Sequence, residues 1–129
     1  MIQCFLPMIP PTITAQEKGI NFSARKIYTK SEVKDVEEKF AANLAPFVPD
    51  KPLTGALKLQ VIWSFPITGK HFDGEWKTTR PDTDNLIKLL KDVLSRLRFW
   101  KDDAQIALEI SEKHYADLPG IFIRISELN

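Results

Sequence analysis

Cysteine, net charge and long apolar runs are all scarce in this sequence, and each shortage excludes a class of protein. The 129 residues include one cysteine, Cys4, so no internal disulfide can form. The formal net charge is only +1, so a surface that binds nucleic acid would need locally segregated charge. No apolar stretch approaches the roughly 20 residues that span a bilayer, which predicts a protein without membrane association. Repeats and low-complexity tracts are also missing, which excludes solenoids.

The length of the chain predicts the number of domains, and its first residues predict the cellular compartment. A chain of 129 residues and 14.8 kDa has room for one hydrophobic core, so we expect a single domain over residues 1–129. The stretch before Pro7 lacks the basic segment and the long apolar run of a secretory signal. Together with the single cysteine, this predicts a cytoplasmic protein.

Apolar periodicity in the first half of the chain predicts a strand and then a helix. A short apolar run over residues 2–6 ends at Pro7 and is typical of an edge strand. Thr29 and Glu32 form a capping box, after which apolar residues recur at helical spacing over about 30–45.

The second half repeats this order. Alternation over residues 57–65 predicts a half-buried strand. A helix over 85–97, capped by Asp84 or Asn85, is predicted from one apolar stripe, formed by Leu86, Leu89, Leu90, Val93, Leu94 and Leu97. Alternation over 104–111 and 121–126 then predicts a terminal antiparallel hairpin. The order strand, helix, strand, helix, hairpin describes an α+β domain with a small sheet covered by two helices.

Two acidic pairs bracket the second predicted helix. Asp82 and Asp84 precede it, and Asp102 and Asp103 follow it. One intervening residue lets Asp82 and Asp84 reach the same ion where the backbone is extended, and such oxygen ligands suit Mg²⁺ or Mn²⁺. The alternative is structural, because Asp and Asn also favour helix caps and turns.

The residues around these acids carry a family resemblance. The two motifs are RPDTDNLIK over residues 80–88 and FWKDDAQ over residues 99–105. Together they resemble the RusA family of Holliday-junction resolvases, strongly over about residues 80–106 and more thinly elsewhere. The resemblance implies a small mixed fold, a homodimer, and a Mg²⁺-dependent endodeoxyribonuclease. Such an enzyme cuts branched, four-way DNA by paired symmetric nicks in recombination and repair.

The resemblance also implies roles for individual residues. Asp82 and Asp84 would hold the metal, Lys88 would stabilise negative charge on the phosphate, and Asp103 would complete the catalytic and metal-binding set. Adjacent strand residues point to opposite faces, so only one of Asp102 and Asp103 readily reaches the first pair. Asp102 is then an outer partner of the metal or a turn residue. For Lys88, the structural alternative is a surface ion pair with Asp84, four residues earlier.

The distance between the acidic pairs raises a geometric question. A helix over 85–97 is about 20 Å long, which places Asp84 and Asp103 near opposite ends. Either residues 96–102 run back along the helix in an extended conformation, or two chains pair across a dimer axis. In the second arrangement Asp103 lies beside the partner's Asp84. The sequence leaves both open.

Two long loops supply cationic side chains for a DNA surface. Residues 7–30 are locally basic, and residues 66–80 add further cations together with Phe72 and Trp76. Taken singly, these are ordinary surface residues, and Trp76 is a core residue. As a set beside the acids they favour DNA, because cations follow phosphates and exposed aromatics stack on bases. The predicted DNA-binding residues are Lys18, Arg25, Lys26, Lys30, Lys70, Lys77 and Arg80.

Two other functions compete with a resolvase. Pro81-Asp82 suggests a general metal-dependent nuclease of the restriction-enzyme type, but that fold needs a downstream acid-x-Lys motif, which residues 83–129 lack. The second alternative is a non-catalytic DNA-binding or structural module. Its acidic residues would only cap a helix and form a turn. It predicts junction binding without Mg²⁺-dependent nicks.

Overall fold

The computed structural model describes residues 1–12 and 30–128, which form a four-stranded sheet with two helices. This confirms the predicted α+β class. Both helices and the first two strands have the predicted order and nearly the predicted bounds. The elements are β1 (Ile2–Leu6), α1 (Lys30–Leu44), β2 (Leu57–Pro66), α2 (Thr83–Arg96), β3 (Ile106–Ala116) and β4 (Gly120–Glu127). The predicted Thr29 cap of α1 lies outside the described residues.

The strand order differs from the sequence prediction at the carboxyl-terminal end. The sheet runs β1-β4-β2-β3, with β2 parallel to β3 and antiparallel to β4. The edge position of β1 is confirmed, but the predicted terminal hairpin is wrong, because β2 lies between β3 and β4. Residues 117–119 cross the end of β2 instead of forming a tight turn. Four residue steps reach about 14 Å, enough to cross two strand spacings of about 4.8 Å.

The core lies between the helices and one face of the sheet. Alternate residues of β2 are buried, and Trp63 meets Phe40 of α1 edge to face, with 6.3 Å between ring centroids. α2 buries a stripe of six apolar side chains, each contributing about 1.5 to 3 kcal/mol to folding. Neither helix in the described ranges has the length and apolar character that a bilayer crossing requires.

The helix-facing side of β3 is polar. Glu109 forms an ion pair with Lys91 of α2 (Oε1 to Nζ 2.9 Å), and the Ser111 hydroxyl accepts a hydrogen bond from the buried Trp63 indole (2.9 Å). The apolar residues of this strand alternate with them, and Leu108 is 44% exposed on the opposite face. The ion pair therefore joins α2 to β3, and the hydrogen bond joins β2 to β3.

Candidate active site

Asp82 and Asp84 lie at the amino-terminal end of α2. Asp82 is the extended residue before the helix (φ −73°, ψ 146°), and its backbone carbonyl accepts from the Leu86 N–H at 3.1 Å. The helix therefore begins at Thr83, so the predicted cap at Asp84 or Asn85 is wrong. The Asp82 side chain makes no capping bond, and both carboxylates are exposed. Within the described chain, neither has a hydrogen bond or ion pair to a side chain or to the backbone.

Lys88 lies one helical turn beyond Asp84 and is exposed. No ion pair joins it to Asp84 or to another carboxylate in the described parts of the chain. The surface pair offered as the structural alternative is therefore not formed. The result is an exposed end of α2 with two carboxylates and an ammonium that form no hydrogen bond or ion pair among the described residues.

Lys113 of β3 fixes the backbone immediately before Asp82. Its Nζ donates hydrogen bonds to the carbonyl oxygens of Thr79 (2.6 Å) and Pro81 (2.7 Å). Burial lowers the pKa of Lys113 below its ordinary value, the charge of Lys77 lowers it further, and Asp82 acts in the opposite direction. The sequence analysis did not identify Lys113. Its side chain points toward α2 from a strand face that is polar, and no apolar pattern in the sequence indicates that face.

The second acidic pair lies at the other end of α2. Asp102 caps a short 3₁₀ turn, Asp103–Gln105, where its Oδ1 accepts from the Ala104 N–H at 2.9 Å. This is the turn role that the sequence left as one of two for Asp102. Asp103 is half-buried, its backbone carbonyl accepts from the Ile106 N–H, and its carboxylate has no hydrogen bond or ion pair in the described structure. The turn is held by Gln105, whose Oε1 accepts from the N–H groups of Lys101 (3.0 Å) and Asp102 (3.1 Å).

A single chain keeps the two acidic pairs apart. α2 runs antiparallel to β3, so that Lys113 meets Pro81 at one end and Glu109 meets Lys91 near the middle. Asp103 lies just before the first residue of β3, at the end away from Lys113. The 14 residues of α2 span about 21 Å. No group of three or more His, Cys, Asp or Glu residues in the described ranges could hold a metal ion.

The extended return path that the sequence left open is wrong. After α2, the Arg98 N–H bonds the Ser95 carbonyl (3.0 Å) and the Phe99 N–H bonds the Leu94 carbonyl (3.0 Å). These bonds turn the chain at the carboxyl-terminal end of the helix, and Phe99 and Trp100 are buried there. Within one protomer, Asp103 therefore stays at that end.

The loop between β2 and α2 is tied to the end of β3. His71 stacks on Tyr115 with 4.0 Å between ring centroids, and the Gly74 N–H bonds the Tyr115 carbonyl at 2.8 Å. A hydrogen bond from His71, and then one from the Phe72 N–H, lower the pKa of Glu75 below its ordinary 4.5. Trp76 is 62% exposed, so the core position that was its structural alternative is wrong.

The predicted DNA-binding residues divide into three groups. Lys70 and Arg80 are exposed on the loop before α2. Lys77 is half-buried, with its Nζ 5.1 Å from the Phe65 ring centroid and 2.6 Å from the Thr79 hydroxyl. The predicted residues that lie outside the described residues, or whose side chains do, are Lys18, Arg25, Lys26 and Lys30.

Comparison with known proteins gives one family and two relatives. A family model described as "Endodeoxyribonuclease RusA" matches residues 8–126. The chain is 40% identical over 72 residues to "Crossover junction endodeoxyribonuclease rusA" of Lactococcus phage r1t, which covers 56% of this chain and 55% of that protein. It is 42% identical over 53 residues to "Uncharacterized protein YqaN" of Bacillus subtilis (strain 168), covering 40% of this chain and 36% of that protein. The chain thus matches about half of the first relative's length and less of the second's.

Proposed function

The chain belongs to the RusA family of endodeoxyribonucleases, and on that premise we propose that it resolves four-way DNA junctions by paired, symmetric nicks. The relative whose name describes a crossover junction endodeoxyribonuclease supports this substrate. The observation that carries the proposal is the exposed end of α2, where the side chains of Asp82, Asp84 and Lys88 form no hydrogen bond or ion pair among the described residues.

A divalent cation, Mg²⁺ or Mn²⁺, fits the donor set at this end of α2. Asp82 and Asp84 offer exposed carboxylate oxygens, which are the ligands these hard cations prefer. We propose Asp103 as the third metal ligand, with Asp102 oriented by its own turn at the rim of the site. When bound there, such an ion would lower the pKa of a water and neutralise charge on the phosphate. Lys88 adds a fixed positive charge for the phosphate oxygens in the transition state.

The active site is proposed to be shared between two protomers. One protomer supplies Asp82, Asp84 and Lys88, and the other supplies Asp103, because a single chain holds these groups at opposite ends of α2. A two-fold homodimer then has two equivalent sites. A four-way junction also presents two equivalent strands, so the symmetry of the enzyme would match that of its substrate.

The first test is the substitution Asp84→Asn, which removes a charge and keeps the size of the side chain. We expect it to abolish Mg²⁺-dependent nicking of a four-way junction, while junction binding is kept or becomes tighter because a repelling charge is gone. Lys88→Gln should lower the rate by about 100- to 1,000-fold. Asp92→Asn, at an exposed position on the same helix, is the matched control and should cut at the wild-type rate.

The assay compares four-way, Y-shaped and linear duplex DNA, each with Mg²⁺ and with EDTA. Full activity of Asp84→Asn would refute the metal assignment. Equal cutting of all three substrates would indicate a general nuclease. Junction binding by the wild-type chain with no nicks in Mg²⁺ would indicate a non-catalytic module.

A further inference from the structure

Trp76 is an exposed indole that is nevertheless held rigidly. The other two tryptophans, Trp63 and Trp100, have no exposed surface, whereas Trp76 is 62% exposed. Its neighbours are fixed by backbone hydrogen bonds on both sides, from the Tyr115 N–H to the Glu75 carbonyl (2.8 Å) and from the Lys77 N–H to the Lys113 carbonyl (3.0 Å). The position of the ring on the edge of β3 is therefore set by the sheet.

One face of the Trp76 ring is backed by another ring. The imidazole of His114 lies 4.2 Å away between centroids, at an interplanar angle of 33°. His114 is itself oriented by Glu112, with 3.0 Å between Nε2 and Oε2. An aromatic ring whose motion is restricted in this way loses little conformational entropy when a second flat group stacks on its free face.

Trp76 lies at the same end of β3 as the proposed active site but on the face opposite to Lys113, so DNA that contacts both must pass around the edge of the sheet. Both Trp76 and Asp82 lie at the Lys113 end of β3, and the six residue steps between them span at most about 20 Å. This corresponds to roughly six nucleotides at 3.4 Å each. The exposed cations Lys70 and Arg80 lie on the same loop and can contact phosphates on either side.

We propose that Trp76 is a stacking platform for an unstacked nucleobase next to the branch of the DNA, an inference that rests on the proposed function. Every base has an aromatic face that can stack on an indole, so the contact tolerates any sequence. In a linear duplex each base is already stacked on its neighbours, whereas bases at a branch point are free to leave the stack. Trp76 therefore contributes to the preference for branched over linear DNA.

The test measures binding in EDTA, where no cleavage occurs. Trp76→Ala should weaken binding to a four-way junction by about 5- to 100-fold and leave binding to linear duplex within about two-fold. Trp76→Phe keeps an aromatic ring and should recover most of the affinity. Phe47→Ala is the control, because Phe47 is an aromatic that is 37% exposed and follows α1, outside this loop and outside the predicted DNA surface. It should bind the junction as the wild-type chain does.

A second readout uses the unmodified protein. Because Trp76 is the only exposed tryptophan, junction binding should quench the exposed component of the tryptophan fluorescence and protect it from acrylamide. A 2-aminopurine next to the branch should be quenched by the wild-type chain and not by Trp76→Phe to the same extent. The fluorescence and acrylamide results do not depend on how well a variant folds, because they use the wild-type chain alone.

Three outcomes would overturn the proposal. They are wild-type junction affinity in Trp76→Ala, an equal loss of affinity for junction and duplex, or a Trp76 that is already shielded without DNA because a second protein chain covers it. The proposed function fails separately. A chain that stacks the base on Trp76 but never cuts DNA in Mg²⁺ would support this inference and contradict the nuclease function. A chain that cuts the junction without stacking a base on Trp76 would support the nuclease function and contradict this inference.

Discussion

At the scale of single residues, Gly120 shows how one missing side chain makes room for the edge strand. The ring of Phe5 from β1 lies directly over Gly120, in the space that a β-carbon at that position would occupy. Glycine is therefore required here for the close approach of a ring. The Phe5 side chain, 40% exposed, is placed on the face of the sheet away from the helices as a result.

Gly120→Ala should lower the free energy of unfolding by about 1 to 3 kcal/mol, because the added methyl group forces the Phe5 ring to move. Phe5→Leu combined with Gly120→Ala should recover part of that loss, since leucine lacks the far atoms of the ring. Urea denaturation of the two single variants and the double variant measures the coupling. Simple additivity of the two effects would show that the ring is not the cause.

Residues near the proposed active site differ in how well the sequence predicts them. Asp82, Asp84 and Lys88 follow from a local motif, because their spacing along one helix end is visible in the sequence. Lys113 and Trp76 depend on long-range pairing, since the first reaches a backbone 32 residues away and the second pairs with His114. Such contacts leave no periodic signal in a single sequence.

At the scale of the elements, Gln105 determines where Asp103 lies. Its side chain makes four hydrogen bonds: Oε1 accepts from Lys101 and Asp102, and Nε2 donates to the carbonyl oxygens of Leu53 (3.1 Å) and Gly55 (3.0 Å). One amide therefore joins the turn before β3 to the segment before β2. This turn carries the acid that we propose as the partner's contribution to each site.

Gln105→Ala should destabilise the chain by about 1 to 3 kcal/mol and should slow cleavage beyond what the lost stability explains, because the Asp103 turn loses its support. Gln105→Glu places a carboxylate oxygen against the carbonyl oxygens of Leu53 and Gly55, so it should destabilise the chain at least as strongly. Thermal unfolding gives the stability, and nicking rates well below the melting temperature give the effect on the site. A Gln105→Ala chain with wild-type stability and rate would contradict this role.

The elements also show why part of the fold was predictable. α1, α2, β1 and β2 were predicted nearly at their bounds, because apolar stripes, alternation and proline breaks are local signals. The terminal hairpin was mispredicted because alternation in β3 and β4 does not reveal that β2 lies between them. The polar inner face of β3 could not be predicted either, because its side chains bond to residues that are distant in the sequence.

At the scale of the whole molecule, the proposed sharing of sites predicts complementation between inactive chains. Asp84→Asn and Asp103→Asn are each expected to be inactive alone, but a mixed dimer combines an intact Asp84 from one chain with an intact Asp103 from the other. Mixing the two after partial denaturation and refolding should therefore restore nicking at one of the two sites. Single nicks should dominate over paired cuts.

The control for that mixture is Asp84→Asn with Asp82→Asn. Both changes affect the same half of the proposed site, so no combination of these chains restores it and nicking should stay absent. A different affinity tag on each chain, with two purification steps in sequence, isolates the mixed dimers, and light scattering confirms their dimeric mass. No recovery with Asp84→Asn and Asp103→Asn in confirmed mixed dimers would eliminate the shared site.

The strand order has a consequence for how the chain is made. β1 pairs only with β4 within the sheet, so Ile2 cannot pair before Ile125 has been synthesised. At about 5 to 20 residues per second, a ribosome needs about 6 to 25 s to extend the chain from Ile2 to Ile125. During that interval the earliest segment has both edges unpaired and its apolar side chains uncovered. Translation speed and access to chaperones therefore bear most heavily on the first strand, although it is among the shortest elements of the sheet.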